Sequence, residues 1–414
     1  MHLTPSDHRP RIGSRSHRGR QCQHHHRHQG QRFASLCLVA FAWILSSNAT
    51  LLARPSLNAS LEPIRTKYRL PALAAAVVVD GELASVGVVG VRKEGTKRRA
   101  RLNDRWHIGS CTKSMTASLA AILIQEKQIG LDWSTPLAEL FPELRDEIRP
   151  EWRPTTLEQL LKNHGGVPAN LETNGLWRAL WERHALPPRE QRAYLTRELL
   201  LRHVPQVPPG SQFLYSNAGF ALAGHALEQR YNTPWERLLV KRLTRRIGLR
   251  TVGFGCPAAP GKLNGPWGHG RDGSGQNLPD PPGLDGDNPA AIGPGGTVHC
   301  TIRDLARYAR WHLQGARGHG TLLRPEGFAR LHTPYRGGAP TTYAAGWNVV
   351  SRPWADGDVL THNGSNTKNF AVIWIAPKRN FAVVVCCNLG GDVAAQATDE
   401  VAASLIEKYL VEKK

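Results

Sequence analysis

The chain has 414 residues, of which 41% are apolar and 21% charged, a composition typical of a globular protein with a sizeable core. Its formal net charge is +20, but no basic stripe is interleaved with aromatic residues and no nucleic-acid-binding motif is present, so we expect no nucleic-acid partner. The charge indicates instead a solvated basic surface that could contact anionic polymers.

The start of the chain has the features of a targeting segment. An Arg- and His-rich stretch precedes an apolar run from Phe33 to Leu45, and small residues follow from Ser46 to Ala49. This order is typical of a signal peptide, and the run is shorter than the ~20 apolar residues that span a bilayer. We therefore expect residues 1–53 to be a signal peptide or an uncleaved anchor. The protein would then be exported, as a periplasmic, secreted or membrane-anchored protein within reach of cell-envelope polymers.

A helix and a β-hairpin are predicted to open the folded domain. Residues 54–70 predict the helix. Two apolar, β-branched runs follow, Leu73 to Val79 and Leu83 to Val91, and Asp80-Gly81 separates them. An Asp-Gly pair between two such runs is a strong hairpin signal, so two antiparallel strands are expected here.

A helical pattern begins at Ser110. Apolar residues recur from there with helical spacing, and Gly130 is expected to close this helix. Thr301 with Asp304 is a capping signature for a later helix. The further predicted helices are Thr156 to Lys162, Leu176 to Arg183, Arg192 to Leu201, Ala218 to Gln229 and Leu305 to Leu313.

Residues 256–296 are dense in glycine and proline and predict a long surface loop. The strand pattern resumes after this stretch, and an amphipathic segment, Asp392 to Leu410, predicts a final helix. The predicted C-terminal strands are Ala344 to Val350, Phe370 to Ile375 and Phe381 to Cys387.

Strands at both ends of the chain with helices between them predict an α+β fold. We expect one antiparallel sheet formed by both chain ends, with a helical region inserted. The domain is expected to cover residues 54–414. Its sheet part would comprise about 54–110 and 340–414, and its helical part about 111–339.

Ser110-Cys111-Thr112-Lys113 is an S-x-x-K element at the start of a predicted helix. A helix N-terminus favours negative charge on a serine oxygen, and residues three apart share one helix face. Lys113 could therefore take the Ser110 proton, provided that burial or nearby cations lower its pKa. The simpler interpretation is a serine cap with a solvated lysine. A second match, Ser365 to Lys368, leads straight into a strand.

Two later elements offer polar groups suited to the same chemistry. Tyr215-Ser216-Asn217 lies at a predicted turn, where the tyrosine could pass a proton to a leaving group and the asparagine could bind a substrate amide. His362-Asn363-Gly364-Ser365 precedes a predicted strand, and its glycine would let a substrate backbone lie close to the strand edge. The N–H of Ser365, with that of Ser110, could form an oxyanion hole. Taken singly, each element is equally well an ordinary turn.

The order of these elements resembles the serine β-lactamase and penicillin-binding-protein superfamily, and most of all its branch of class C β-lactamases, DD-peptidases and esterases. S-x-x-K opens a helix, Y-x-N follows, and H-x-G comes before the C-terminal strand pair. Local agreement includes Trp106 to Lys113 and His164 to Pro168, and the resemblance runs from about Leu57 to Leu410. It implies a β-lactamase/transpeptidase-like fold.

The resemblance also implies a role for each matching residue. Ser110 would be the acylated nucleophile, Lys113 its base and Tyr215 the acid/base partner. The residues implied to bind substrate are Asn217, His362, Gly364 and Ser365, the last through its N–H in the oxyanion hole.

Histidine at position 362 departs from the pattern of efficient β-lactamases of this branch, which have lysine there. A lysine would bind the β-lactam carboxylate, whereas histidine is mostly neutral near pH 7. We therefore predict a serine hydrolase that forms an acyl-enzyme with an ester, amide or β-lactam carbonyl of a small-molecule or peptide substrate. Esterase or D-amino-acid-peptidase activity is favoured over β-lactamase activity. The alternative is a non-hydrolytic penicillin-binding or peptidoglycan-sensing protein on the same fold.

No cofactor or metal is expected. The cysteines show no CxxC spacing, and His24 to His28 lie in the segment expected to be removed. The sequence leaves open whether Cys256 and Cys300 form a disulfide and how many subunits assemble.

Overall fold

The two ends of the chain pair in one antiparallel sheet. The computed structural model describes residues 56–127 and 130–411. The strands of that part are β1 (Ala72–Val79), β2 (Glu82–Gly90), β3 (Arg105–His107), β4 (Gly253–Phe254), β5 (Gly268–Arg271), β6 (Asn277–Asp280), β7 (Val298–Thr301), β8 (Asn348–Arg352), β9 (Gly357–Ser365), β10 (Phe370–Ala376) and β11 (Phe381–Cys387). Six of them form a sheet of order β2-β1-β11-β10-β9-β8. The predicted α+β fold with a sheet from both chain ends is confirmed.

Helices fill the chain between the two groups of strands. They are α1 (Asn58–Lys67), α2 (Thr112–Glu126), α3 (Leu137–Leu140), α4 (Leu157–Leu161), α5 (Leu176–Trp181), α6 (Pro188–Arg197), α7 (Asn217–Arg230), α8 (Trp235–Leu238), α9 (Gly293–Gly296), α10 (Ile302–Ala316), α11 (Pro325–His332) and α12 (Asp392–Ile406). Among the described residues no helix is long and apolar enough to cross a membrane. The predicted targeting segment, residues 1–53, lies outside the described residues.

Both faces of the large sheet are covered, which explains the continuous apolar runs in its central strands. Side chains along β1 alternate between two hydrophobic clusters. Ala74, Ala76 and Val78 belong to the cluster that includes the buried residues of α2 and α10. Leu73 and Val77 belong to the cluster that includes those of α1 and α12. The sheet is therefore the central layer between two groups of helices.

The hairpin and one helix cap agree with the sequence prediction. Asp80 and Gly81 have φ angles of +53° and +74°, the two positive values that a type I′ turn requires. Thr301 caps α10 by accepting a hydrogen bond from the Asp304 N–H at 3.3 Å. Both features could be predicted from the sequence because each depends only on residues that lie within three positions of each other in the chain.

Helix α2 is shorter than predicted. Its residues are buried from Thr112 to Leu123, and it ends at Glu126. Lys127 adopts a left-handed φ of +51° and donates its N–H to Ile124 O, which stops the helix. The expectation that Gly130 closes the helix is therefore wrong, because the chain turns at a lysine that no sequence signal marks.

Strand β9 is absent from the sequence prediction, which placed His362 to Ser365 directly ahead of the predicted strand Phe370 to Ile375. In the structure these residues are the end of β9 itself, paired with Phe370 to Ile373 of β10. The stretch contains Gly, Asp and Asn, which favour turns, and it has no clear apolar alternation. Its extended conformation is set by pairing with β8 and β10, a tertiary effect that local sequence does not report.

The stretch 256–296 is only partly a surface loop. It contains the β5–β6 hairpin, and residues 291–296 are buried. A Cβ on Gly224 of α7 would lie 2.3 Å from the Pro294 ring, and one on Gly295 would lie 3.1 Å from Asn217 O. Glycine and proline at this end therefore reflect close packing, and the prediction of a surface loop is wrong there.

Cys256 and Cys300 are free thiols. Cys256 donates a hydrogen bond to Gly283 O at 3.6 Å, while Cys300 is buried within β7. The disulfide that the sequence left open is thus not formed in this structure.

Candidate active site

Ser110 lies in a 3₁₀ turn, Gly109–Cys111, directly before α2. Its side chain is partly exposed, whereas the neighbouring Gly109 and Cys111 are buried. The positive end of the α2 helix dipole favours negative charge close to this turn. The serine hydroxyl is therefore accessible to a substrate at a place where an alkoxide is stabilised.

Two glycines let the Ser110 turn touch strand β9. A Cβ on Gly109, which has a φ of +48°, would lie 2.3 Å from Ser365 N. A Cβ on Gly364 would lie 2.1 Å from Ile108 O and 2.6 Å from Ser110 N. Only glycine permits such an approach. The structure thus brings together the backbones of Ser110 and Ser365, whose N–H groups the sequence suggested for an oxyanion hole.

The amine of Lys113 lies within hydrogen-bonding distance of three oxygen atoms. Its Nζ is 3.1 Å from Ser110 Oγ, 2.6 Å from Asn217 Oδ1 and 2.7 Å from Gly295 O. The side chain is fully buried, and this burial lowers the pKa of Lys113 to about 7. A substantial fraction of the amine is therefore neutral near pH 7.

A neutral amine matches this set of partners. It has two N–H donors and one lone pair, and two of its three neighbours, Asn217 Oδ1 and Gly295 O, can only accept. The third, the Ser110 hydroxyl, can donate to the lone pair. The site is arranged so that Lys113 can remove the Ser110 proton.

Tyr215 approaches Ser110 from a second side. Its side chain is half-buried and hydrogen-bonded to that of Ser110, and desolvation raises the pKa of the phenol well above its usual range despite that hydrogen bond. Lys113 Nζ lies 4.7 Å from the centre of the Tyr215 ring. Since the phenol stays protonated near neutral pH, Tyr215 is suited to donate its proton to a leaving group and then to be reprotonated by Lys113.

The cap of helix α7 fixes Tyr215 and Asn217 on either side of Ser216. Ser216 Oγ accepts the Gly219 N–H at 3.1 Å and donates to Pro168 O at 2.7 Å. This N-cap holds the turn in one conformation. Asn217 Oδ1 consequently points at Lys113, so in this structure it holds the lysine; the sequence suggested that it would bind a substrate amide.

His362 is buried on β9, with Nε2 3.1 Å from the Tyr343 hydroxyl. Burial, with a smaller contribution from nearby Lys113, lowers the pKa of His362 to about 4. The imidazole is therefore neutral at physiological pH. The position that a lysine would occupy in an efficient β-lactamase holds no cation here.

The end of β9 presents a free edge towards this site. Strand β8 pairs with β9 only as far as Thr361, so among the described strands His362 to Ser365 pair with β10 alone. Beside the edge, Phe213 has 39% of its surface exposed, and its ring centre lies 5.3 Å from that of Tyr343. An extended substrate could add to the edge through backbone hydrogen bonds with an apolar group on the aromatic wall.

The structure assembles Ser110, Lys113, Tyr215, Asn217 and the His362 to Ser365 edge in one place. Sequence reasoning gave no role to two further groups at this site, Gly295 O and Tyr343. No signal marks Tyr343, and a backbone carbonyl has no side-chain signature, although Gly295-Gly296 lies in a stretch that fits the family pattern.

Comparisons with known proteins agree with this picture. A family model described as Beta-lactamase matches residues 57–407. The chain is 25% identical over 361 residues to penicillin-binding protein 4 of Amycolatopsis lactamdurans, covering 82% of this chain and 86% of that protein. It is 24% identical over 304 residues to a beta-lactamase of Pseudomonas fluorescens, covering 72% and 75% of the two chains.

Solved structures show the same fold. The octameric penicillin-binding protein homologue from Pyrococcus abyssi superimposes with a TM-score of 0.67 at 20% identity, covering 85% of this chain and 78% of that one. A penicillin-binding protein from Bacillus halodurans gives a TM-score of 0.65 at 21% identity, covering 83% and 99%. The β-lactamase/transpeptidase-like fold expected from the sequence is confirmed.

Proposed function

This chain belongs to the beta-lactamase family, whose members include hydrolases, and we propose that it is a serine hydrolase acting through an acyl-enzyme on Ser110. One observation carries the proposal. Lys113 Nζ lies 3.1 Å from Ser110 Oγ, and burial lowers the pKa of that amine to about 7. An activated serine needs a neutral base at this distance.

The proposed acylation uses the residues described above. Ser110 Oγ attacks the substrate carbonyl carbon while Lys113 takes the hydroxyl proton. The N–H groups of Ser110 and Ser365 bind the oxygen on which negative charge develops. Tyr215 donates its proton to the leaving group as the carbonyl–leaving-group bond breaks, and Lys113 returns a proton to Tyr215. Water then hydrolyses the ester on Ser110 with the same base.

We propose neutral esters and amides as the preferred substrates over β-lactams. The support is His362, which is neutral and hydrogen-bonded to Tyr343, so it offers no fixed positive charge to a substrate carboxylate. The aromatic wall of Phe213 and Tyr343 favours an apolar acyl group. In line with the sequence, we propose that the hydrolase domain at residues 54–414 works outside the cytoplasm.

A substrate panel tests the proposed activity. The purified protein is assayed with p-nitrophenyl esters, the β-lactam nitrocefin and a peptide ending in D-Ala-D-Ala, and intact mass follows any covalent adduct. The proposal expects ester turnover to exceed that of nitrocefin. Rapid nitrocefin turnover with inert esters would reverse the substrate preference. A stable penicillin adduct without turnover of any substrate would favour the non-hydrolytic alternative.

The pH profile should reflect Lys113. Because the neutral amine is the active form and the pKa of Lys113 is about 7, kcat/KM for a p-nitrophenyl ester should be highest above pH 8. It should be lost as the pH falls through 7, with a limiting slope of about tenfold per unit. Initial rates are measured from pH 5 to 9 after subtraction of spontaneous hydrolysis. A flat profile over this range would contradict Lys113 as the base.

A lysine in place of His362 should shift the substrate preference. A charged donor at this position would pair with the carboxylate of a β-lactam, so we expect His362→Lys to raise the ratio of kcat/KM for nitrocefin over a neutral ester about tenfold, equivalent to ~1.4 kcal/mol. Asn363→Lys is the matched control, since that neighbour is exposed and points to the other side of β9. An equal shift in both variants, or none in the first, would contradict the assigned role of His362.

A further inference from the structure

The carboxylate of Asp287 is buried between two segments that flank the candidate oxyanion hole. Asp287 belongs to the stretch 256–296, and its side chain is 5% exposed. Oδ2 lies 2.8 Å from His107 Nε2, and Oδ1 accepts a hydrogen bond from Asn366 Nδ2 at 2.9 Å. Oδ1 also accepts the Asn288 N–H at 2.8 Å.

On one side, the contact leads to Ser110. His107 Nδ1 accepts the Gly109 N–H at 3.1 Å, so the neutral ring must carry its proton on Nε2 and donate it to Asp287. Asp287 thereby fixes the tautomer and the orientation of the imidazole that holds Gly109. Gly109 is the residue before Ser110, so the direction of the Ser110 N–H depends on this chain of hydrogen bonds.

On the other side, the contact leads to Ser365. Asn366 is the next residue, and its Oδ1 accepts the Asn369 N–H at 3.0 Å and the Asn369 side-chain amide at 3.1 Å. These bonds close the turn between β9 and β10. Because Asp287 orients the Asn366 amide, it also constrains where β9 ends and where the Ser365 N–H points.

We propose that Asp287 is a positioning residue that holds the two N–H groups of the oxyanion hole, those of Ser110 and Ser365, at the spacing the transition state requires. This inference rests on the proposed serine hydrolase function. None of the hydrogen bonds described for Asp287 goes to Ser110 or Lys113; it acts through His107 and Asn366. It also gives a role to the glycine- and proline-rich stretch, which supplies the carboxylate.

The proposal differs from a purely structural role in what a substitution changes. An oxyanion hole binds charge that develops only in the transition state, so its misplacement lowers kcat and leaves substrate binding in place. A carboxylate that merely stabilised the fold would affect the melting temperature, and the folded fraction would keep its kcat. The comparison of kcat, KM and melting temperature therefore separates the two roles.

Isosteric exchange of the two side chains provides the test. In Asp287→Asn one of the two acceptor oxygens becomes an NH2 group. The N–H group of either His107 or Asn366 then points at another hydrogen-bond donor and loses its acceptor. Asn366→Asp sets two carboxylates against each other. The double variant D287N/N366D restores an amide–carboxylate pair in the opposite direction and leaves the asparagine oxygen free to accept from His107. Only the bond from the Asn288 N–H, which Asp287 Oδ1 accepts in the wild type, is not restored. Asp285→Asn is the control, since this aspartate lies in the same stretch with 83% of its side chain exposed.

We expect each single variant to lower kcat for a p-nitrophenyl ester about 10- to 100-fold, with KM within about threefold of wild type. The rate at which a fluorophosphonate probe labels Ser110 should fall by a similar factor. The kcat of the double variant should be at least tenfold higher than that of the less active single variant. The kcat of Asp285→Asn should match that of the wild type. Circular dichroism and melting temperature identify the folded variants.

Two results would overturn the inference while leaving the proposed function intact. The first is that the wild type is active and the folded Asp287→Asn variant has a kcat within twofold of the wild-type value. The other is a folded double variant that is no faster than the single variants. A wild type that neither hydrolyses esters nor reacts with the phosphonate would overturn the proposed function, and this inference with it.

Discussion

Ser110→Ala is expected to abolish ester turnover, with a fall in kcat on the order of 10⁴-fold or more. The proposed reaction passes through a covalent bond to Ser110 Oγ, and the Tyr215 phenol, which is hydrogen-bonded to Ser110, has a pKa well above its usual range. That phenol is therefore not expected to replace the lost nucleophile. The measurement is kcat/KM for a p-nitrophenyl ester, with circular dichroism to show that the fold is retained.

Ser114→Ala is the matched control for this variant. Ser114 lies on α2 one turn after Ser110, is buried, and donates its hydroxyl to Cys111 O at 2.8 Å. It has no place in the proposed reaction, so its loss should affect stability by about 1 kcal/mol and leave kcat within severalfold of wild type. Residual turnover of more than about 1% in Ser110→Ala would contradict the assignment of the nucleophile.

Lys113→Arg is expected to lower kcat on the order of 10³-fold, the usual scale for loss of a general base. Arginine retains a cation but stays protonated at every pH of the assay, so it cannot accept the Ser110 proton. The rise of activity through pH 7 should disappear in this variant. Stopped-flow measurement of acylation separates this effect from any change in hydrolysis of the acyl-enzyme.

Lys162→Arg is the control for the second variant. Lys162 is another buried lysine, but its Nζ is paired with Glu158 at 2.7 Å. None of the hydrogen bonds or ion pairs of the described residues joins it to Ser110. Arginine can keep that ion pair, so activity should stay close to wild type. If Lys113→Arg retained more than a tenth of wild-type kcat, Ser110 would have to be activated by another group.

Local signals in the sequence were sufficient for the parts of the site that lie close together along the chain. Ser110 and Lys113 are three residues apart, so helical geometry alone brings the amine to the hydroxyl. Asp80-Gly81 fixes the hairpin because both residues tolerate positive φ. The order of the three motifs then indicated which distant segments meet, through the resemblance to a known family.

The groups that sequence reasoning missed are those placed by tertiary packing. Gly295 O is a backbone atom, and it reaches Lys113 only because residues 291–296 are packed against α7. Strand β9 is extended because of its neighbours, and its own sequence shows no clear apolar alternation. Asp287 lies among glycines and prolines that resemble an ordinary loop, and only the structure shows that its carboxylate links His107 to Asn366.

The most direct test of the account is covalent labelling of Ser110. The purified protein and its Ser110→Ala variant are treated with a fluorophosphonate and with fluorescent penicillin, and adducts are located by intact mass and peptide mapping. The account predicts one phosphonate adduct on wild type, mapped to Ser110, and none on the variant. An unlabelled wild type, or an adduct that persists in Ser110→Ala, would contradict the claim that Ser110 is an activated nucleophile.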